Sequence, residues 1–487
     1  MEGLAALPVD TNLCYYYAMT KNLTVGPPGA LIFAFAVPLV IGNLFQQLYN
    51  MADSFIVART IGMEALAAIG CTGSLAFLIL GFIIGVTSGA AIITSQRYGA
   101  GDVAGVKRSF VASLVIGAAV TVVLMAFSIG TLRPLLSLLN TPERIYEYAY
   151  SYFVVMLWGM PAITLFNLLS NMMRAVGDSR TPLYFLVIAC IVNIALDYLF
   201  ILVFKSGVAG AGIATVISQF FAALACIPAI KKRFPLLAPG KGDFQLDVAE
   251  IIRHVKIALP VGFQWSIIAI GAVAVTFALN GLGYAAVAAF TTGQKIDQLA
   301  TMPLSSYGQA MTTFAAQNFG AKKYDRIKKG VAQGLTIALG FSVVMGLLFF
   351  FFGDRIAAVF LHGEQEAIRL SHRYLKVTGV FFSLLALLFC TRQTLQGLGD
   401  SLVPTLAGVM ELLMRTFAAL ILTSFFGYTG LCFAGPLAFI GALIPLSIAL
   451  RSKFAHLTRL SSAAASGIHL PRAGFIRSGV CSPAAPR

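Results

Sequence analysis

The pentapeptide Gln96-Arg97-Tyr98-Gly99-Ala100 (QRYGA, 96–100) returns as Gln317-Asn318-Phe319-Gly320-Ala321 (QNFGA, 317–321), 221 residues later. Moving outward from it, other pairs keep the same step. Pro38 answers Pro260 at 222. Ile61-Gly62 before EALAAIG answers Leu282-Gly283 before YAAVAAF at 221. Gly177-Asp178-Ser179 with Pro182 answers Gly399-Asp400-Ser401 with Pro404 at 222. Small residues and proline are common enough that one match means little. Four in one order at one offset indicate a duplicated chain.

The stretches between these landmarks are apolar. Of 487 residues, 58% are hydrophobic and 11% charged, against about 25% charged in soluble domains. That composition excludes a soluble enzyme, a disordered chain and a nucleic-acid-binding domain. Hydropathy predicts twelve spans near 29–54, 65–96, 109–132, 148–173, 182–204, 208–230, 257–282, 285–316, 331–352, 374–397, 402–426 and 428–450. Each reads as a helix, because backbone in lipid must satisfy its own hydrogen bonds. The expected fold is an all-α polytopic membrane protein, twelve transmembrane helices in two parallel six-helix repeats. Six is even, so both copies enter from one face and are related about the membrane normal. The expected division is an N-terminal segment 1–28, an N-lobe 29–230, a linker 231–256, a C-lobe 257–450 and a basic, disordered tail 451–487.

Charge sets the expected orientation. The net charge is +15. With the N-terminus inside, inner segments hold 24 Lys and Arg, Arg392 counted among them, and outer segments 8. That bias places both termini in the cytoplasm, with the protein in the cell membrane. Seven scattered cysteines form no Cys-x-x-Cys pair and read as small hydrophobes. Gly177 and Gly399 suit helix ends, and Pro182 and Pro404 suit first turns, so the two GDS motifs are read as helix hairpins.

An ionisable group inside a span costs at least ~2.5–3.5 kcal/mol on the insertion scale and is by default a functional candidate. Six qualify: Asp53, Asp197, Asp297, Glu411, Lys295 and Arg415. Asp197 has no base on its helix and lies one turn from Asn193. A carboxylate beside an amide suits a hard cation or a proton relay, or a polar contact between helices. Asp53 is near the far end of the first span, within reach of the interface. Glu411 and Arg415 stand at i, i+4 and are expected to neutralise each other. Lys295 and Asp297, two apart, cannot face one another, so each needs another partner.

The stretches QQLYNMADSFIVARTIGMEALAAIG (46–70), RAVGDSRTPL (174–183), NIALD (193–197), AQNFGAKKYDRIKKG (316–330) and QGLGDSLVPTLAGVMELLMR (396–415) resemble the MATE family, the multidrug and toxic compound extrusion transporters. The resemblance runs over about 29–450. It implies a MATE-like fold of two lobes about a central cavity. It also implies secondary active antiport by a monomer, exporting organic cations or other drugs against H⁺ or Na⁺, with no cofactor. The NorM-like pattern of acids in the seventh and tenth helices is missing. The DinF-like pattern of an N-lobe cation site maps onto Asp53, Asn193, Asp197 and Thr215, where Na⁺ or a proton would bind. Asp297, Lys295, Glu411 and Arg415 are left as substrate-binding or structural polar groups.

Two other functions compete. A lipid-linked saccharide flippase of the same superfamily keeps the fold, but usually needs a strongly cationic cavity, and only Lys295 and Arg415 are bases in spans once Lys376 and Arg392, near the ends of 374–397, are counted with the outer and inner faces. A membrane enzyme is disfavoured because all five histidines fall in loops or the tail, with no metal-ligand pair in a span.

Overall fold

The computed structural model describes residues 22–138, 141–245, 247–361 and 364–465. Twelve helical passes follow in order: α1 Pro28–Thr60, α2 Met63–Gly99, α3 Val103–Leu138, α4 in two arms Glu143–Trp158 and Met160–Ala175, α5 Arg180–Val203, and α6 Gly207–Arg233. The second set is α7 Val248–Asn280, α8 Tyr284–Gly320, α9 Tyr324–Ala358, α10 Gln365–Gly397, α11 Leu402–Phe426, and α12, formed by Tyr428–Cys432 and Ala434–Ala465. Ten of them are long and apolar enough to cross a membrane, and α4, bent by 49° at Gly159 ahead of Pro161, makes an eleventh. The twelfth, α8, has the length but is too polar to pass by composition, although its repeat partner α2 passes.

Local chemistry accounts for the helix ends. Pro28 opens α1 at a position whose N–H needs no partner. Asp247 caps α7 by accepting from the Ala249 N–H. Gly177 and Gly399 adopt φ of 93° and 85° after α4 and α10, a conformation that disfavours any side chain. Asp178 then accepts from the N–H groups of Arg180 and Thr181 at the start of α5. Asp400 does the same for Val403 at the start of α11.

Two sequence boundaries shift. Helix occupies both flanks of the expected linker, leaving 234–247 between α6 and α7, with Phe234 and Leu237 buried in the N-lobe core. The expected disordered tail begins as helix: α12 runs on to Ala465, where Lys453 pairs with Asp400 and Ser461 donates to Asp325. These contacts extend a helix that composition alone reads as solvated chain. Positions 466–487 and 1–21 lie outside the described residues.

The lobes exchange helix segments. Ile32, Phe35, Ala36 and Leu39 of α1 are buried in the C-lobe core, whereas Ile56 and Val57 of the same helix pack with α5 and α6 residues. Reciprocally, Ala258 of α7 packs with Val86, Ala90 and Ile116 of the N-lobe, and Val275 and Leu279 return to the C-lobe core.

Hydrogen bonds between the halves run from mid-span to the linker end. Asn43 donates to Ser306 at 2.8 Å. Gln96 donates to the Gly397 carbonyl at 2.9 Å, and Gln317 to the Ala175 carbonyl at 2.9 Å. Arg97 pairs with Glu250, and Ser109 bonds His254. Toward the other end these interlobe hydrogen bonds stop, and Asn50 and Met51 of α1 and Gln294, Lys295 and Gln298 of α8 are exposed. The two lobes are therefore joined at the linker end, and the α1 and α8 residues beyond mid-span are accessible.

Candidate ion site

Helices α1, α4, α5 and α6 bring the N-lobe candidates together. Tyr49 and Asp53 are one turn apart on α1, as are Asn193 and Asp197 on α5. Leu183 and Leu186 of α5 contact α1 at Gly42, where there is no side chain to hold the helices apart. Asn193 and Asp197 are wholly buried and Asp53 nearly so. The Asp53 and Asp197 carboxyl groups face each other directly. Tyr49 donates to Thr215 Oγ1 at 3.0 Å, and Thr215 donates to the Ala211 carbonyl at 3.0 Å. The Tyr152 ring of α4 stands within the field of both acids.

Unsatisfied polar atoms gather in this pocket. Asp53 Oδ1, both Asp197 carboxyl oxygens, and both Asn193 amide atoms are buried without a hydrogen-bond partner among the described residues. Buried polar atoms are nearly always paired, and two carboxylates in one apolar pocket need a positive charge between them. Oxygen donors from Asp53, Asp197 and Asn193 fit a hard cation or a proton. No cluster of three or more His, Cys, Asp and Glu occurs among the described residues, which sets the pocket apart from sites of softer metals. Immediately beyond Asp197 the helix widens into a π turn, Leu199–Val203, a feature that often marks functional positions.

Neither Tyr49 nor Tyr152 is among the charged or amide groups that the sequence singles out. The repeat supplies the signal for Tyr152, since its counterpart 222 positions on is Tyr374, which also faces a carboxylate. Tyr374 donates to Asp297 Oδ2 at 3.5 Å in the C-lobe. There the counterparts of Asp53, Asn193 and Asp197 are Val275, Arg415 and Ala419. A guanidinium thus occupies the position of the N-lobe amide, and a π turn again follows, at Ala418–Leu422.

The expected Glu411–Arg415 pair does not form. Glu411 pairs with Arg392 of α10, a residue counted with the inner-face charges although it lies within the expected span 374–397, and which the structure buries. Arg415 instead extends past Gly271 of α7 into the field of Asp297. Side chains one turn apart can still point at different neighbouring helices, and here each finds the charge its neighbour presents. Asp297 and Lys295 separate as expected: Asp297 turns into the C-lobe, and Lys295 is exposed.

A family model, MatE, matches residues 38–199 and 260–421, one match per repeat. The chain belongs to the MatE family. MATE proteins are membrane transporters rather than enzymes, and this one is a multi-pass membrane protein. A probable multidrug resistance protein of Bacillus subtilis, YoeA, is 29% identical over 391 residues, covering 78% of this chain and 83% of its own. A probable multidrug resistance protein of Thermotoga maritima, NorM, is 26% identical over 76% of this chain and 80% of its own. Among solved structures, an outward-facing multidrug resistance MATE family transporter of the MOP superfamily superposes with a TM-score of 0.82 at 23% identity, over 90% of this chain and 99% of that one. That likeness establishes the fold.

Proposed function

We propose that this MATE protein is a multidrug efflux antiporter of the cell membrane, driven by H⁺ or Na⁺ through Asp53, Asn193, Asp197 and Thr215, with Tyr49 and Tyr152 bounding the site. The observation that carries the reading is the buried group of unpartnered oxygens facing one another in the N-lobe. The names of the relatives, multidrug resistance proteins, support the cargo class. The charge bias makes the linker end cytoplasmic, so lobes joined there and accessible beyond mid-span correspond to an outward-facing state.

Coupling follows from electrostatics. Two like charges about 4 Å apart repel by about 4 kcal/mol at an effective dielectric constant near 20. That corresponds to nearly a thousandfold in an equilibrium constant. An ion arriving from outside removes the repulsion and lets α1 and α5 close on each other. Its departure to the cytoplasm restores the repulsion. Since the ion has unequal affinity for the two states, it can drive alternating access. A drug released outward when the ion binds and taken up inward when the ion leaves completes antiport. The carboxylates serve the ion, and their burial keeps them out of direct contact with most cargo.

The test is norfloxacin export from proteoliposomes under a pH or a Na⁺ gradient, imposed singly, for the wild type and Asp197→Asn. Export driven by one gradient and lost in the variant identifies the ion and supports the N-lobe role. Wild-type export by Asp197→Asn under the driving gradient rules it out.

A further inference from the structure

Lys295 lies in the span of α8, a helix too polar to face lipid over its length. Lys295, Ser306 and Gln317 are spaced by 11 residues, three helical turns, and so share one face. Ser306 accepts from Asn43 of α1, and Gln317 bonds Leu23 and Ala175. That face therefore looks at the N-lobe, and Lys295 stands on it three turns beyond the Asn43–Ser306 bond, where it is exposed. The helices run antiparallel. Opposite Lys295, α1 presents Gln47, Asn50 and Ser54 at i+4, i+7 and i+11 from Asn43. Asn50 donates to Gln47 Oε1 at 3.3 Å, which leaves an exposed, neutral amide wall.

No acid compensates Lys295. Within the hydropathy spans 29–54, 65–96, 257–282 and 285–316, the charged residues are Asp53, Lys295 and Asp297, and of these only Lys295 is exposed; Glu64, at the start of α2, pairs with Arg144. Asp53 turns to Asp197 and Asp297 to Tyr374, each inside its own lobe. No described carboxylate forms an ion pair with Lys295. An exposed ammonium held at that depth on the interlobe face, faced by amides, is a receptor for an anion.

We propose that Lys295 binds the carboxylate of the transported molecule, so that the preferred cargo is an organic acid or zwitterion rather than a simple organic cation. This rests on the transporter reading above and specifies its substrate. The ammonium forms a charge-assisted contact with the carboxylate. The amides of Gln47 and Asn50 accept or donate to the rest of the molecule, which explains a polar helix in an otherwise apolar repeat. Lysine acts as a point charge on a flexible stem, suited to cargo of varied shape.

The test compares rhodamine 110, a free acid, with rhodamine 123, its methyl ester, by fluorescence anisotropy. The full-length protein is held in phosphatidylcholine nanodiscs without any ion gradient. Wild type is expected to bind rhodamine 110 about tenfold more tightly, the scale of one exposed charged contact. Lys295→Gln is expected to lose that preference while holding rhodamine 123 unchanged, which also reports intact folding, and Lys295→Arg is expected to keep it. Absence of a preference in wild type, whether it binds both dyes or neither, overturns the proposal, as does equal weakening of both dyes by Lys295→Gln. Phosphatidic acid in the nanodisc that displaces rhodamine 110 through Lys295 would reassign the site to lipid phosphate. The measurement requires no coupling, so failure of the Asp197 reading leaves its result intact.

Discussion

Gly99 and Gly320 are packed reciprocally across the lobe boundary. A Cβ on Gly99 would fall on the carbonyl of Gln317, and one on Gly320 would fall on the carbonyl of Gln96, in each case the residue three before the other glycine. The side chains of the same two glutamines cross the boundary in mirrored fashion, Gln96 to Gly397 and Gln317 to Ala175. This crossing of α2 and α8 seals the linker end around the pseudo-twofold axis.

Gly99→Ala and Gly320→Ala should therefore push the same two helices apart. Overpacking of this kind costs about 1–3 kcal/mol, charged here against the sealed state alone. Spin-label distances across the linker end should lengthen in either variant. The double variant should add little, because one separation relieves both clashes.

Gln317→Ala should weaken closure more than Gln96→Ala. Each loses an interlobe bond of about 1 kcal/mol, but Gln317 also accepts from the Leu23 N–H at 3.1 Å. Labelling of a cysteine placed just inside the seal reads the difference: faster in both variants, fastest for Gln317→Ala.

The Arg392–Glu411 pair predicts an asymmetry in stability. Either residue alone changed to alanine leaves a buried charge without its partner, a loss of about 3–5 kcal/mol. Changing both, to leucine, should recover much of that loss. Thermal unfolding in detergent measures the order: wild type and the double variant close together, both single variants well below.

Tyr152→Phe separates shape from chemistry at the ion site. It keeps the ring beside Asp53 and Asp197 and removes the hydroxyl. Ion-driven export should fall by a smaller factor than in Asp197→Asn, with binding of drug in the absence of a gradient unchanged. Equal loss in the two variants would give Tyr152 a larger part than a boundary of the pocket.

The duplication, the helical passes and the isolated polar pair Asn193–Asp197 were legible because each is written in spacing or in the cost of charge in lipid. Arg392 was not. It sits where hydropathy falls near a helix end, and burial there depends on Glu411 arriving from α11. The Glu411–Arg415 spacing misled for the same reason, since spacing along one helix does not say which neighbouring helix each side chain meets. Asp53 gained its place from family resemblance, and the Lys295 face from the packing of α8 against α1.

The exchange of helix segments bears on what one copy could do alone. Half of α1 is buried in the C-lobe core, and half of α7 packs on the N-lobe. A lone six-helix copy would thus leave the start of its first helix without a core to enter, and leave another groove vacant. A six-helix copy with this packing would bury the start of its first helix only by lending it to a second copy, as in a domain-swapped homodimer. In this chain the segment 234–247 makes that partnership intramolecular, so each copy can differ in sequence without losing its partner.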